Sequence, residues 1–513
     1  MFAFLKQKLT PGIPVDRGET APISANTLLK KKLTENTIDL REKFDSSDDL
    51  TIRKMKIGGA DAAVISLDGM VNKLNLAVSV INPIVDADIA AEEPEHIFCQ
   101  IRDEILSTPE TIQIVTMEEL MDYILSGFVA ILIDDCNQGL VFGIQGFNFR
   151  SISDPETEVT QRGSRESFVE ALNINISMVR RRMRTPNLKF ERMKVGKKSA
   201  TDVCLCYLRD VTSKELVSDV RCRLESIPLE YVLESGYLQP FLEGDMPSLF
   251  TQVGVTERPD TLCGKIGEGR VAVMVDGTPH ALLVPHLFIE HFQSFDDYCI
   301  RPFYATFTRL MKITAFAIAT LLPGLYVAVG TFHPELLPTQ LLYKVSGAEA
   351  TTPFPLFFEA LLIHFIYEIM REAGLRLPRP VGHAVSIVGA LVIGDAAVTA
   401  GLIGSPMVMI VALTAVSSFV VPTLYEPIAI VRLAMIILGG TLGLPGVMLA
   451  ICSIVVNIAT SNAYGVPQLA PLSPYQKVGM RDVFVRAGWK TLGQKTAKIQ
   501  HMSGAKLTQN RRR

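Results

Sequence analysis

The back third of this chain is short of charge. Between His383 and Arg432 the only ionisable carboxylates are Asp395 and Glu426. A run that poor in charge is excluded from the wet surface of an ordinary soluble domain and suits hydrocarbon. Paired cysteines are also missing: the chain has 8 cysteines but no C-x-x-C, which argues against a thiolate metal site or a disulfide framework. The nearest two, Cys204 and Cys206, sit in an apolar alternating run that reads as a strand, where reduced thiols belong to the core. Residues Met1 to Gly12 hold no apolar stretch long enough for a secretory signal, so the soluble region is expected in the cytoplasm. No phosphate loop, H-E-x-x-H or G-x-S-x-G occurs. The glycines Gly264, Gly267 and Gly269 precede a strand instead of opening a helix after one, and read as a turn. Neither an enzyme nor a cofactor nor a metal is therefore expected. Arg180, Arg181, Arg182 and Arg184 end a helical pattern and read as a solvated face or a headgroup contact; nothing else points to nucleic acid.

What is present suits two solvents at once. The 513 residues are 48% hydrophobic with a mean hydropathy of +0.28, yet 20% are charged. The length favours two to four domains. The expected layout is a mobile arm over residues 1–50, a first α/β lobe over 51–160, a second over 161–300, a transmembrane helix bundle over 301–465 and a basic cytoplasmic tail over 466–513. The fold class is thus α/β followed by membrane all-α. An internal repeat supports two lobes: Gly127 to Asp134 echoes Gly269 to Asp276, and each is followed by a second strand-like run, Gly139 to Ile144 and His280 to Val284.

A spanning helix needs about 20 mainly apolar residues. Ile313 to Phe332, Val385 to Ile403, Met407 to Val421 and Leu433 to Ile458 are the candidates. Leu356 to Ala373 is apolar but carries His364, Glu368, Arg371 and Glu372 on one helical face and Glu359 on the other, so it is expected to be buried in the bundle, re-entrant or interfacial. With the soluble region and the basic tail on one side, the crossings must be even in number, which gives four spans plus this charged helix. Ala390 with Gly394, Ala397 with Gly401 and Gly439 with Gly443 have the small-residue spacing that brings helices together. Asp395 is the sharpest single residue, an ionisable group in an apolar span. It is expected to border a water-filled path formed by several copies of the chain, with a hydrogen bond to Ser386, Thr399 or a neighbouring helix as the structural alternative.

Several motifs then resemble one family closely. Phe332-His-Pro-Glu335, Phe354-Pro-Leu-Phe-Phe-Glu359, Arg371-Glu-Ala-Gly-Leu-Arg-Leu-Pro-Arg-Pro380, Ala384 to Gly394 and Tyr464-Gly-Val-Pro467 are similar to the membrane region of GerA-type spore germination proteins. Upstream, Arg162-Gly-Ser-Arg165, Glu257-Arg-Pro-Asp260 and Gln293-Ser-Phe-Asp296 match as well. The resemblance implies the A subunit of a germinant receptor in the spore inner membrane. It would work with a permease-like B subunit and a C-subunit lipoprotein, oligomerise within lipid, and release monovalent cations. The related SpoVAF-type paralogue shares the architecture, and the sequence leaves the two open. The resemblance also marks departures: His364, His383 and Asp395 stand where the family usually has Glu, Gln and Gln, and Gln293-Ser-Phe replaces Gln-Ser-Pro, so ion preference or pH response is expected to differ. Pore or gating residues on this reading are His383, Ser386, Gly394 and Asp395. A secondary transporter using Asp395 and Glu426, or a non-conducting scaffold, are the competing readings.

Overall fold

The structure, a computed structural model, describes residues 27–87, 89, 93–105, 111–146, 155, 158, 160, 162–244, 248–376, 394–493 and 497–507. It divides into two compact units, Met1–Arg150 with Asn173–Glu191, and Ser151–Leu172 with Arg192–Arg513.

The first unit is built on an antiparallel five-stranded sheet. Its strands are β1 (Leu50–Ile57), β2 (Ala60–Leu67), β3 (Thr111–Ile114), β4 (Val129–Ile133) and β5 (Gly139–Phe142), in the order β1-β2-β4-β5-β3. Every residue of β4 is buried, because both faces of the sheet are covered. Val129, Ile131 and Ile133 pack with Val80, Ile84, Ile97 and Phe98 on one face. Ala130 and Leu132 pack with helices α1 (Leu33–Lys43) and α2 (Met117–Leu125) on the other. Helix α2 opens with a reciprocal cap: Thr116 Oγ1 accepts from the Glu119 amide, and Glu119 accepts from the Thr116 amide, both at 3.2 Å.

Helix α1 falls in the stretch expected to be a mobile arm, and its order has a clear cause. Leu33, Leu40 and Phe44 are buried against the sheet. The stripe between them is completed by buried Asn36 and Thr37, so polar residues interrupt the apolar periodicity that announces a helix. Asn36 makes up for its burial by exchanging hydrogen bonds with the Lys30 backbone.

The run of arginines ends helix α3 (Leu172–Arg182). Arg180 departs from the expected solvated face: it is fully buried and grips Asp49 through Nε and Nη2 at 2.8 and 2.9 Å, and it also donates to the carbonyls of Thr185 and Leu188. A buried, bidentate arginine of this kind is anchored by geometry that lysine lacks.

The second sheet contains β6 (Leu188–Val195), β7 (Thr201–Leu208), β8 (Gly254–Thr256), β9 (Val271–Val275) and β10 (Ala281–Val284), in the order β6-β7-β9-β10-β8. That is the order of the first sheet, strand for strand, with helix α4 (Lys214–Glu225) between β7 and β8, and with helix α5 (Pro259–Gly267) before β9 as α2 stands before β4. The repeat extends to hydrogen bonds. The Asp134 amide donates to Asp61 O at 2.7 Å and the Asp276 amide to Asp202 O at 2.9 Å. The Asp134 carboxylate accepts from the Leu33 amide that opens α1, and the Asp276 carboxylate accepts from the Leu172 amide that opens α3. Each unit of the repeat is thus a helix followed by a five-stranded sheet. Cys204 and Cys206 are fully buried in β7.

The second unit continues into helices α6 (Pro302–Phe332), α7 (Thr339–Glu349), α8 (Leu356–Arg376), α9 (Ser405–Phe419), α10 (Tyr425–Leu442) and α11 (Leu444–Thr460). Among the described residues two stretches, Pro302–Phe332 and Pro422–Leu442, are long and apolar enough to cross a membrane, while α9 and α11 are shorter apolar helices. Expecting one span over Leu433 to Ile458 overlooks Gly443, whose φ of +66° ends α10, and Pro445, which has no amide hydrogen and so fits the first turn of a new helix. The result is a helical hairpin, α10 and α11.

The bundle has a near end, beside the second sheet, and a far end. At the near end Phe250 and Phe292 of the lobe pack with Val421, Leu424, Ile428 and Ile458. At the far end Leu356 lies against Gly330, and Phe357 against Gly440. Helix α8 runs from the far end, where Glu359 meets Gly404, to the near end, where Glu368 meets Tyr425. It is therefore neither short nor lying on a surface. Helix α11 returns the chain to the lobe, where Asn457 Oδ1 accepts from the Leu249 amide at 3.1 Å and Ser461 meets Gln252. First and last helices thus share one end of the bundle.

Beyond α11 the basic tail folds back on the second lobe. Tyr464 OH donates to Leu242 O at 2.7 Å, Gln468 Nε2 to Thr251 O at 3.0 Å, and the Ile499 amide to Glu268 O at 2.9 Å. Val466, Ala470, Ile499 and Met502 are buried with Leu287, so the basic residues are carried on a segment whose apolar side is core.

Candidate functional site: polar groups inside the helix bundle

Inside an apolar bundle a polar side chain is retained only with a partner or water, so these groups are where chemistry is concentrated. Helix α8 supplies most of them. Glu359 is fully buried and its Oε1 accepts from the Gly404 amide at 2.6 Å. Five residues on, the buried His364 places Nδ1 2.8 Å from Ala360 O. One further turn on, Glu368 accepts from both Tyr425 OH and Arg432 Nη2. Arg371 lies over the Tyr425 ring with Nη1 3.6 Å from Glu368. Tyr367 OH is 3.3 Å from Ser418 Oγ on α9.

The structure therefore joins Glu368 and Arg371 with Arg432, Tyr425 and Tyr367, while His364 has the Ala360 carbonyl as its hydrogen-bond partner. Glu359, on a different face, is buried too, where α8 packs against α6, α9 and α10, while Phe358, Phe365 and Ile369 on its outer side are exposed. Glu372 departs from the group: it is exposed and pairs with Arg376 one turn later at 2.9 Å. Arg432 was the partner to look for, since it is the lone arginine of α10 and a carboxylate on a neighbouring bundle helix needs a cation.

The residues named around the expected path lie in different settings. His383 and Ser386 fall outside the described residues. Residues 394–399 are helical, with Gly394 buried and Asp395 exposed on the surface of the single chain. Thr399 Oγ1 donates at 2.8 Å to the carbonyl of Asp395, so this bond involves its backbone and not its carboxylate.

The small-residue signals separate in the same way. Gly439 works at a helix contact: a Cβ there would sit 2.5 Å from Gly324 O, so α10 and α6 touch backbone to backbone. Gly443 and Gly401 instead take positive φ and end helices.

A second polar cluster couples lobe, bundle and tail. Arg309 of α6, fully buried, donates to Asp297 Oδ2 and Asp482 Oδ1, each at 2.7 Å. Tyr298 OH donates to Asp482 at 2.7 Å, and Gln293 Nε2 to Asp482 O at the same distance. Burial pushes the Tyr298 hydroxyl well above its usual pKa, helped by the Asp482 carboxylate. The sequence did carry a signal for this cluster, since Asp482 is the sole acid in a basic tail.

Beside it, Glu290 takes Lys265 and Arg270, and His286 Nδ1 lies 3.3 Å from its carboxylate. Burial opposes the Glu290 charge, but Arg270 and Lys265 outweigh it and hold the carboxyl well below its usual range. Burial lowers His286 to about 4 despite Glu290, and lowers His291, whose ring meets His286 edge-on at 4.6 Å between centroids.

Comparison with known proteins places these features in a family. The profile described as "Bacillus/Clostridium GerA spore germination protein" matches residues 39–498. Spore germination protein KA of Bacillus subtilis (strain 168) is 38% identical over 467 residues, which cover 90% of this chain and 86% of that protein. Stage V sporulation protein AF of the same organism is 26% identical over 478 residues, 92% of this chain and 95% of that one. Among solved structures, the N-terminal domain of the A subunit of the Bacillus megaterium spore germinant receptor GerK3 is 28% identical with a TM-score of 0.40, covering 52% of this chain and 98% of that domain.

Proposed function

Since the chain belongs to the GerA family of spore germination proteins, we propose that it is the A subunit of a nutrient-responsive membrane receptor that contributes a cation-release path during germination. Identity of 38% to protein KA against 26% to stage V sporulation protein AF favours the receptor subunit over the paralogue. On this reading the bundle lies in the spore inner membrane, with the second lobe and the tail on its cytoplasmic side. The partners are a permease-like B subunit, a C-subunit lipoprotein and further copies of the chain.

One observation carries the signalling role. The second lobe, the first apolar helix and the folded-back tail meet in a single buried network around Arg309, so a change in the lobe reaches α6 without crossing a flexible linker. A ligand or partner shifts a closed path to open only through different affinity for the two states, and a lobe fused to the bundle provides that difference with a mechanical output. Asp395, exposed on the single chain, is suited to face a path shared between copies, where its carboxylate would attract cations.

The test is potassium release from spores with and without this chain, over a panel of amino acids and sugars. The receptor reading expects loss of the response to at least one nutrient. Normal release for every nutrient would overturn it.

A further inference from the structure

The inner face of α8 carries more polar atoms than its protein partners satisfy. Glu359 Oε2, His364 Nε2 and Arg432 Nη1 are buried and have no hydrogen-bond partner among the described residues. Their residues are 0%, 4% and 2% exposed. Each such atom, left bare in an apolar surrounding, costs about 1–3 kcal/mol, so three on adjoining helices call for a solvent.

The polarity of the three atoms identifies it. The Ala360 carbonyl only accepts, so His364 Nδ1 carries the hydrogen and Nε2 of the neutral ring offers a lone pair. Arg432 Nη1 only donates, and Glu359 Oε2 accepts. An anion would find two acceptors where it needs donors, and a bare cation would meet the guanidinium. Water both donates and accepts, and satisfies all three.

The spacing fits as well. Glu359 and His364 are five residues apart, about 7.5 Å along the helix axis, which is the reach of two or three hydrogen-bonded waters.

We infer that α8, with Arg432 of α10, lines a narrow hydrated seam within a single chain, running from Glu359 near the far end to the Glu368–Arg432–Tyr425 cluster near the lobe. The inference deepens the conduction reading and rests on its placing the bundle in a membrane. It puts water inside each subunit, apart from any path at Asp395 between copies. The Arg432–Glu368 pair closes its near end.

Pulsed radiolytic hydroxyl labelling of the intact chain in detergent or lipid, read residue by residue by mass spectrometry, tests this without any substitution. The radical forms from water in place, so buried side chains are oxidised only where water touches them. His364 is expected to be labelled about tenfold faster than Met407, a more oxidisable residue that is 1% exposed and packed among Leu356, Ile363 and Ile403. Labelling of His364 no faster than of Met407, or of neither, would overturn the seam. The readout is water and not ion flux, so a chain that passes no potassium but labels at His364 removes the conduction reading and keeps the seam.

Discussion

Arg309, in the first turns of α6, donates to Asp482 at 2.7 Å although 173 residues separate them. The pair encloses the whole helix bundle in a loop whose ends are tied at one point, on the side of the second lobe. Asp297 takes the other arm of the same guanidinium at 2.7 Å.

Arg309→Met removes the bridging cation from two neighbouring carboxylates and leaves the buried Asp297 with Lys312 as its cation at 3.9 Å. Loss of one partner from a buried pair typically costs about 3–5 kcal/mol, so the variant should melt well below the native chain in detergent. Asp482→Asn, whose side chain is 23% exposed, should cost less and free the tail for limited proteolysis beyond residue 470. Unchanged melting of both variants would remove the latch.

Gly439 and Gly324 set the distance between α10 and α6. Gly439→Ala places a methyl 2.5 Å from Gly324 O, so one helix must shift, at about 1–3 kcal/mol. Gly347, on α7, has open space at the same position, and Gly347→Ala should be neutral or stabilise by up to about 1 kcal/mol. Thermal unfolding of both in one detergent checks the contrast.

His286 and His291 make the lobe-to-bundle junction sensitive to acid. Their native pKa values lie below the ordinary 6.5, His286 at about 4, so the unfolded chain binds protons that the native chain refuses. Their contribution to stability is complete above pH 6.5 and is lost as the pH falls from there toward 4, at up to about 1.4 kcal/mol per unit for each ring. His286→Gln with His291→Gln should flatten the melting temperature between pH 6.5 and 4; an equal slope in the double variant would count against this origin.

Asp134 and Asp276 hold equivalent places in the two sheets, and each accepts the first amide of a helix. Asp134→Ala and Asp276→Ala should each cost about 0.5–2 kcal/mol. Amide exchange should rise at Leu33 in one and at Leu172 in the other, with no cross effect.

That symmetry also shows where the sequence was readable. The strands repeat visibly because fully buried β4 and β9 must be continuous runs of Val, Ile, Ala, Leu and Met. Helix α1 was not visible because Asn36 and Thr37 occupy its inward stripe. Within the bundle, His364, Glu368 and Arg371 could be grouped by helical spacing alone. The partners of Glu368 and Arg371, which are Arg432 and Tyr425, lie on another helix, and no local pattern ties them to α8. The break at Gly443 was masked by unbroken hydrophobicity, since a turn at the far end of an apolar hairpin needs no polar residue, only a positive φ and a following proline. The tail's attachment to the lobe through Tyr464, Val466, Gln468 and Ile499 is not legible in the sequence, because these residues form no periodic apolar pattern among the basic ones.

Potassium flux through liposomes carrying the purified chain tests the central claim most directly, measured for the native protein and for Asp395→Leu. The account predicts flux above that of empty liposomes, with lowered conductance or weakened cation preference in the variant. Native chain that passes no more potassium than empty liposomes would contradict it.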